Sequence, residues 1–240
     1  MVGSLHPPES DEATLEAPEV DDDLYHSRGD EVSASRPFLT GDVIDGVTIP
    51  GFGENAGPVI VLSHPCNMRK NGVELADRLY VARVAPFQYL PPRRWSSDCL
   101  RHLPLPALRR DEHFAAFLSD VGMADAGQIQ EGERIACLSD FGVNLLQQRL
   151  IFCLTRFVVP IFKLRASCTA VFVEVDLHEE WAESREATAD AVAEEFHTWI
   201  RERDEANRMR QERLKDPGQV AAVRREMRRR LRAESDDGLT

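Results

Sequence analysis

Two short segments carry the side chains best suited to chemistry. Ser63-His64-Pro65-Cys66-Asn67-Met68 brings a hydroxyl, an imidazole and a thiol close together in the chain. Residues two apart share one face of an extended segment, so His64 and Cys66 are placed for a base-and-thiol pair. The sequence identifies no third group to orient that pair, and a packed thiol is the plainer reading. Cys99-x-x-His102, with His113 beyond it, supplies further sulfur and nitrogen donors. His64, Cys66, Cys99 and His102 would complete a four-ligand zinc set, but their spacings match no paired Cys-x-x-Cys pattern. The expectation is no metal and no other cofactor.

Contacts to phosphate have other candidates. Arg93, Arg94, Trp95, Arg101, Arg109 and Arg110 form the densest basic segment in the middle of the chain, and Arg69 follows the His-Pro-Cys turn. Guanidiniums grip phosphates and an indole stacks on a base. Arg69, Arg93, Arg94, Trp95 and Arg101 are therefore the candidate nucleic-acid contacts, set against the blander reading of a solvated loop paired with acids elsewhere. Near the C-terminus, Val220, Val223, Met227 and Leu231 recur at helical spacing beside six arginines. The arginines could touch nucleic acid, while the narrow seam suits equally a protein partner or self-association, or folding against the acidic tail or the acidic half of the preceding helix.

These groups need elements to hold them. Val59–Ser63 is a continuous apolar run entered from Gly57-Pro58, which reads as a strand buried on both faces. Gly41–Ile44 opens an earlier strand, Arg78–Ala85 follows the Asn71-Gly72 turn pair, and Arg134–Ser139 and Ala170–Val175 read as later strands. Pro86 to Pro106 carries five prolines and reads as an irregular excursion. Asp111–Val121 has apolar residues at helical spacing with Gly122 placed as a C-cap. Gln147–Leu164 suits helix and strand equally. Asp176 and Glu179 form a capping box for an amphipathic helix of about 35 residues, whose face is marked by Trp181, Thr188, Val192, Phe196, Trp199 and Ile200. Asp216-Pro217 ends it and starts another.

Composition sets the outer limits. The chain has 240 residues and a formal net charge of −12, room for one ordinary domain with extensions. Residues 1–36 hold ten acids against two bases and few large apolar residues, so they read as a disordered acidic tail. The division expected is tail 1–36, folded unit 37–176 and charged helical extension 177–240. No apolar run is long enough to span a membrane and no signal-peptide pattern opens the chain, so membrane contact is not expected and a cytoplasmic location is. Five cysteines, mostly within apolar runs, suit reduced and packed thiols.

Set side by side, Gly41-Asp42-Val43-Ile44, Ala56-Gly57-Pro58-Val59-Ile60-Val61-Leu62-Ser63, the Val81–Pro86 strand and Arg134–Asp140 resemble the PemK/MazF-like toxins over about residues 37–150. The resemblance implies an SH3-like β-barrel, and so an α+β protein with a long helical C-terminal extension. Many members of that family cleave RNA, using an arginine before the proline and a Thr or Ser after the second strand. Gly57 and Ala85 occupy those places here. The resemblance therefore implies a barrel without the family's catalytic pair: a protein-binding module whose helices dock a partner in a toxin–antitoxin or anti-phage type of system. The alternative is a ribonuclease or nucleic-acid-binding protein with a site moved toward Ser63–Arg69 and the Arg93–Arg110 loop, where Arg69 or Arg83 would stand in.

Overall fold

A computed structural model describes residues 14–53, 55–71, 73–185 and 188–237. Residues 1–13 of the expected tail, Glu54, Gly72 of the turn pair, and Glu186 and Ala187 of the expected long helix lie outside them. In chain order the elements begin with β1 (Tyr25–Arg28), β2 (Asp42–Val47), β3 (Gly57–Val61), α1 (Pro65–Met68), β4 (Arg69–Lys70), β5 (Glu74–Leu75) and β6 (Arg78–Pro86). They continue with α2 (Trp95–Asp98), β7 (His102–Arg109), β8 (Glu112–Asp125), α3 (Ala126–Glu131), β9 (Glu133–Leu138) and α4 (Asp140–Thr155). The chain ends in α5 (Ile161–Glu183), α6 (Ala189–Arg201), α7 (Arg210–Arg213) and α8 (Pro217–Asp237).

Seven strands make one antiparallel sheet in the order β1-β9-β2-β3-β6-β8-β7, curled into a nearly closed barrel. The seam between the two edge strands is bridged by side chains: the Tyr25 hydroxyl and the Arg28 guanidinium both donate to the Pro106 carbonyl, at 3.0 and 3.1 Å. β3 sits at the centre of the order. Val59 and Val61 join Ile44, Leu79 and Val81 in one core, while Ile60 joins Val43, Ala82 and Leu138 in another. Both faces are covered, which is why the run is apolar without alternation. β2, β6 and β9 also fall where their sequences place them.

Elsewhere tertiary packing overrides the local pattern. The acidic tail is not excluded from the fold: within residues 14–36, Leu15 and Leu24 are buried and β1 pairs with β9. Asp21–Leu24 forms a 3-10 turn, with Asp22 paired to Arg28. The proline excursion contains a regular strand, β7, which tolerates Pro104 and Pro106 because it lies at an edge. Asp111–Val121 is not a helix. It lies in β8, bonded to β6 on one side and β7 on the other, and Phe114, Ala115, Ala116 and Leu118 are all buried. Gly122 is inside that strand; a Cβ there would stand 2.4 Å from the Ile49 side chain.

Ala170–Val175 is likewise not a strand but the middle of α5. Phe172 and Val175 face the barrel core, while Ala170 and Val173 face a helical core, so the helix is apolar on two sides and shows no single stripe. Asp176 and Glu179 cap nothing. One turn apart on α5, they take the Arg36 guanidinium between them, which ties the N-terminal segment to the helices. The expected long helix ends at Glu183 and α6 folds back on it, burying Trp181, Val192, Phe196, Trp199 and Ile200 together. The apolar face is the expected one, but the helix carrying it is broken. α8 starts at Pro217 as expected, with the Gly218 amide donating to Asp216 Oδ1 at 2.9 Å.

Candidate functional site

The segment leaving β3 is used mostly on its own backbone. The Tyr80 amide donates to Ser63 Oγ at 2.8 Å, and the Cys66 amide donates to His64 Nδ1 at 3.2 Å, making His64 the cap of α1. Cys66 is exposed. Cys99 is buried far along the chain, its thiol raised by burial, and the His102 ring packs against Phe117 and Phe87. Among the described residues no three His, Cys, Asp or Glu side chains gather as a metal site.

The basic set does not converge. Trp95 is fully buried and its indole N–H donates to the Leu90 carbonyl at 2.8 Å, so it cannot stack on a base. Packing under α4 also explains the ring: the buried Arg149 guanidinium lies over it and donates to backbone carbonyls of Glu16, Trp95 and Cys99. Arg94 pairs with Asp98, while Arg93 and Arg101 are exposed. Arg69 is elsewhere. It lines a cleft of about 540 Å³ together with Cys66, Glu174, His178, His197 and Arg201, and a neighbouring cleft of about 1240 Å³ bounded by the β4–β5 hairpin and α6. None of Arg93, Arg94 and Arg101 lines either one.

At the places where the resemblance puts catalysis, Gly57 opens β3 beside empty space and Ala85 offers only a methyl in β6. Arg83, the nearest guanidinium in sequence, is bound by Asp120 at 2.6 and 2.9 Å and lies over Phe117.

The C-terminal seam is occupied by the chain itself. Val223 and Met227 are fully buried against Leu177, Trp181 and Trp199, and Val220 and Leu231 are half-buried at its ends. Arg224 and Arg228 both reach Glu180 on α5, and Glu234 takes Arg185. Of the partners the seam could take, the acidic half of the preceding helix is the one present, so the seam is not an open docking face.

An open apolar surface lies instead at the turn between α4 and α5. Leu154, Phe157 and Phe162 are 73, 75 and 69% exposed. They are presented by a turn that is held from beneath. Arg156 adopts a left-handed backbone at the α4 C-terminus, and the Ile161 amide donates to the Glu16 carboxylate at 2.9 Å. Gln148 donates to the Val159 carbonyl at 2.9 Å and accepts from the Glu16 amide at 2.8 Å. From 141 to 173 the sequence has no acid, and the exposed Arg156, Lys163 and Arg165 surround the apolar tip. The signal was in the sequence: Ile151–Leu164 is too apolar and too long to be all core beside so many bases. No family model and no curated protein matches this chain. Among the described residues no helix is long and apolar enough to cross a membrane.

Proposed function

We propose that the chain is a non-catalytic binding module: a PemK/MazF-like, SH3-like barrel that docks a partner protein, in a toxin–antitoxin or anti-phage type of system, through the α4–α5 turn. The observation that carries the reading is the trio Leu154, Phe157 and Phe162, exposed on a turn anchored by Glu16 and Gln148. Apolar groups grouped in this way mark an interaction surface, and presenting them from a fixed turn lowers the ordering cost of binding. The bases around them select a partner surface that is apolar at its centre and acidic at its rim. The absence of a guanidinium at Gly57 and of a hydroxyl at Ala85, with Arg83 neutralised by Asp120, supports a barrel without the family's phosphate chemistry.

The test is a cross-linked capture from the source cells with the full chain and with Phe157→Ser/Phe162→Ser. Both side chains are exposed, so the variant's melting temperature should stay near that of the parent. A partner retained by the parent and lost by the variant supports the reading; an unchanged partner set refutes it. Sizing of the purified chain asks whether the partner is a second copy. Incubation with single-stranded RNA tests the alternative, since cleavage abolished by Arg69→Ala would replace a docking role with an enzymatic one.

A further inference from the structure

The cleft beneath α5 and α6 is richer in cations than in anions: among the described residues Arg69 and Arg201 line it against one acid, Glu174. Arg69 leaves the α1–β4 turn half-buried, and its Nη2 donates to the Phe38 carbonyl at 2.9 Å. Among the described residues neither Arg69 nor Arg201, which lines the same cleft from α6, takes part in an ion pair. Glu174 is raised by burial although Gln211, Arg201 and Arg69 all pull it down, and both of its oxygens accept from Gln211 Nε2, at 3.0 and 2.9 Å, so it forms no direct ion pair with either arginine. The imidazoles respond to this surplus. Burial and then the Arg69 charge push His178 down to about 4, and burial with Arg201 lowers His197. Among the described residues, His197 Nε2 is buried with no hydrogen-bond partner.

Arg69 is half-buried and Arg201 exposed, and an anion arriving between them gains charge-assisted hydrogen bonds from both. A guanidinium fork matches either a carboxylate or a phosphate, and a phosphate has oxygens enough for two forks at once. His197 Nε2 and Asn71, in the same lining, add polar groups that can turn to such a ligand. The other wall is apolar, with Phe196, Val171 and Pro37. The volume, about 540 Å³, is in the range that encloses a small organic ligand. We propose that this cleft binds a small phosphate ester, its phosphate clamped by Arg69 and Arg201 and its organic group laid against the half-buried Val171 and Pro37. This site is distinct from the α4–α5 turn and does not rest on the docking role.

Titration calorimetry on the full chain tests it with adenosine 5′-monophosphate, inorganic phosphate, adenosine and a short single-stranded RNA without terminal phosphates. The expected result is that the monophosphate binds, adenosine does not, and Arg201→Gln weakens binding by about tenfold or more. Arg69→Gln should do the same, but it also loses the Phe38 contact, so the exposed Arg201 decides the question if that variant fails to fold. Arg165→Gln, outside the cleft, and Phe157→Ser/Phe162→Ser should bind as the parent does. No binding of the monophosphate or of phosphate up to about 1 mM, or equal binding by Arg201→Gln, overturns the assignment. So does binding of the RNA alone, which would make the cleft a backbone contact for nucleic acid.

Discussion

Replacing Arg36 by Met should weaken the tie between the N-terminal segment and α5. Arg36 is 3% exposed, and its Nη1 reaches both Asp176 and Glu179 on α5. Each charge-assisted bond is worth about 1.5–3 kcal/mol. Asp176 is 42% exposed and recovers water when released, so its bond counts for little. Glu179 is 15% exposed and stays largely dry, so its bond counts nearly in full, although His26 Nε2, 3.7 Å away, remains as a second partner. The sum is about 3 kcal/mol. With a urea slope of about 2–3 kcal/mol per molar, the unfolding midpoint should fall by about 1 M. The Arg36 carbonyl, which accepts from Arg134 at 2.7 Å, survives the change and keeps the local backbone in place. Arg36→Lys keeps the charge but not the fork and should recover about half the loss. A double-mutant cycle with Glu179→Gln should show coupling above about 1 kcal/mol. A loss below about 1 kcal/mol for Arg36→Met, with no coupling to Glu179, would show that the two units are held by their apolar contacts alone, and the reasoning would be wrong.

Three further outcomes are expected. Gly142→Ala should cost about 3 kcal/mol or more in denaturant titration, because its Cβ would stand 2.2 Å from the Leu24 carbonyl oxygen and force α4 away from the N-terminal turn. A loss under about 1 kcal/mol would mean that this contact is slack. Trp95→Ala should cost about 3–5 kcal/mol through its cavity, and RNA binding measured on the folded variant should not change, since the ring is inside the core. The third concerns pH. His178 titrates at about 4 in the folded chain against an ordinary 6.5, so the unfolded chain takes the proton first. The stability it contributes is complete above about 6.5 and is lost as pH falls toward 4, by up to about 3 kcal/mol. Urea midpoints across that window should fall more steeply for the parent than for His178→Gln; parallel curves would contradict the burial of the imidazole.

Local pattern determined those elements whose surroundings are simple. β2, β3, β6 and β9 were legible because β-branched runs between turn residues have few other uses. The start of α8 was legible because an Asp-Pro step both ends one element and caps the next. The apolar face of Trp181, Val192, Phe196, Trp199 and Ile200 was legible too, although it closes on itself rather than running straight. At the site, Arg69 was identified from its place after the β3 exit, whereas Glu174, His178, His197 and Arg201 were not. They come from helices distant in sequence, and nothing local announces which side chains will share a cleft.

Periodicity reports how many faces of an element are covered, and its power fails when two are. β8 lies between two strands and is buried on both faces over Phe114–Ala116, so its apolar residues lost the two-residue rhythm there and took on a helical spacing. α5 lies between the barrel core and the helical core, so its β-branched middle read as a strand. β1 has the opposite cause: its residues are too polar to demand burial, and they become a strand because β9 offers an unpaired edge. Composition and turn chemistry thus settled the barrel's central strands and the start of α8, whereas tertiary structure alone decided where the long helix broke and what the ambiguous stretches became. The free energy that chooses between helix and strand for an apolar run comes from the partners it buries against, and those partners lie elsewhere in the chain.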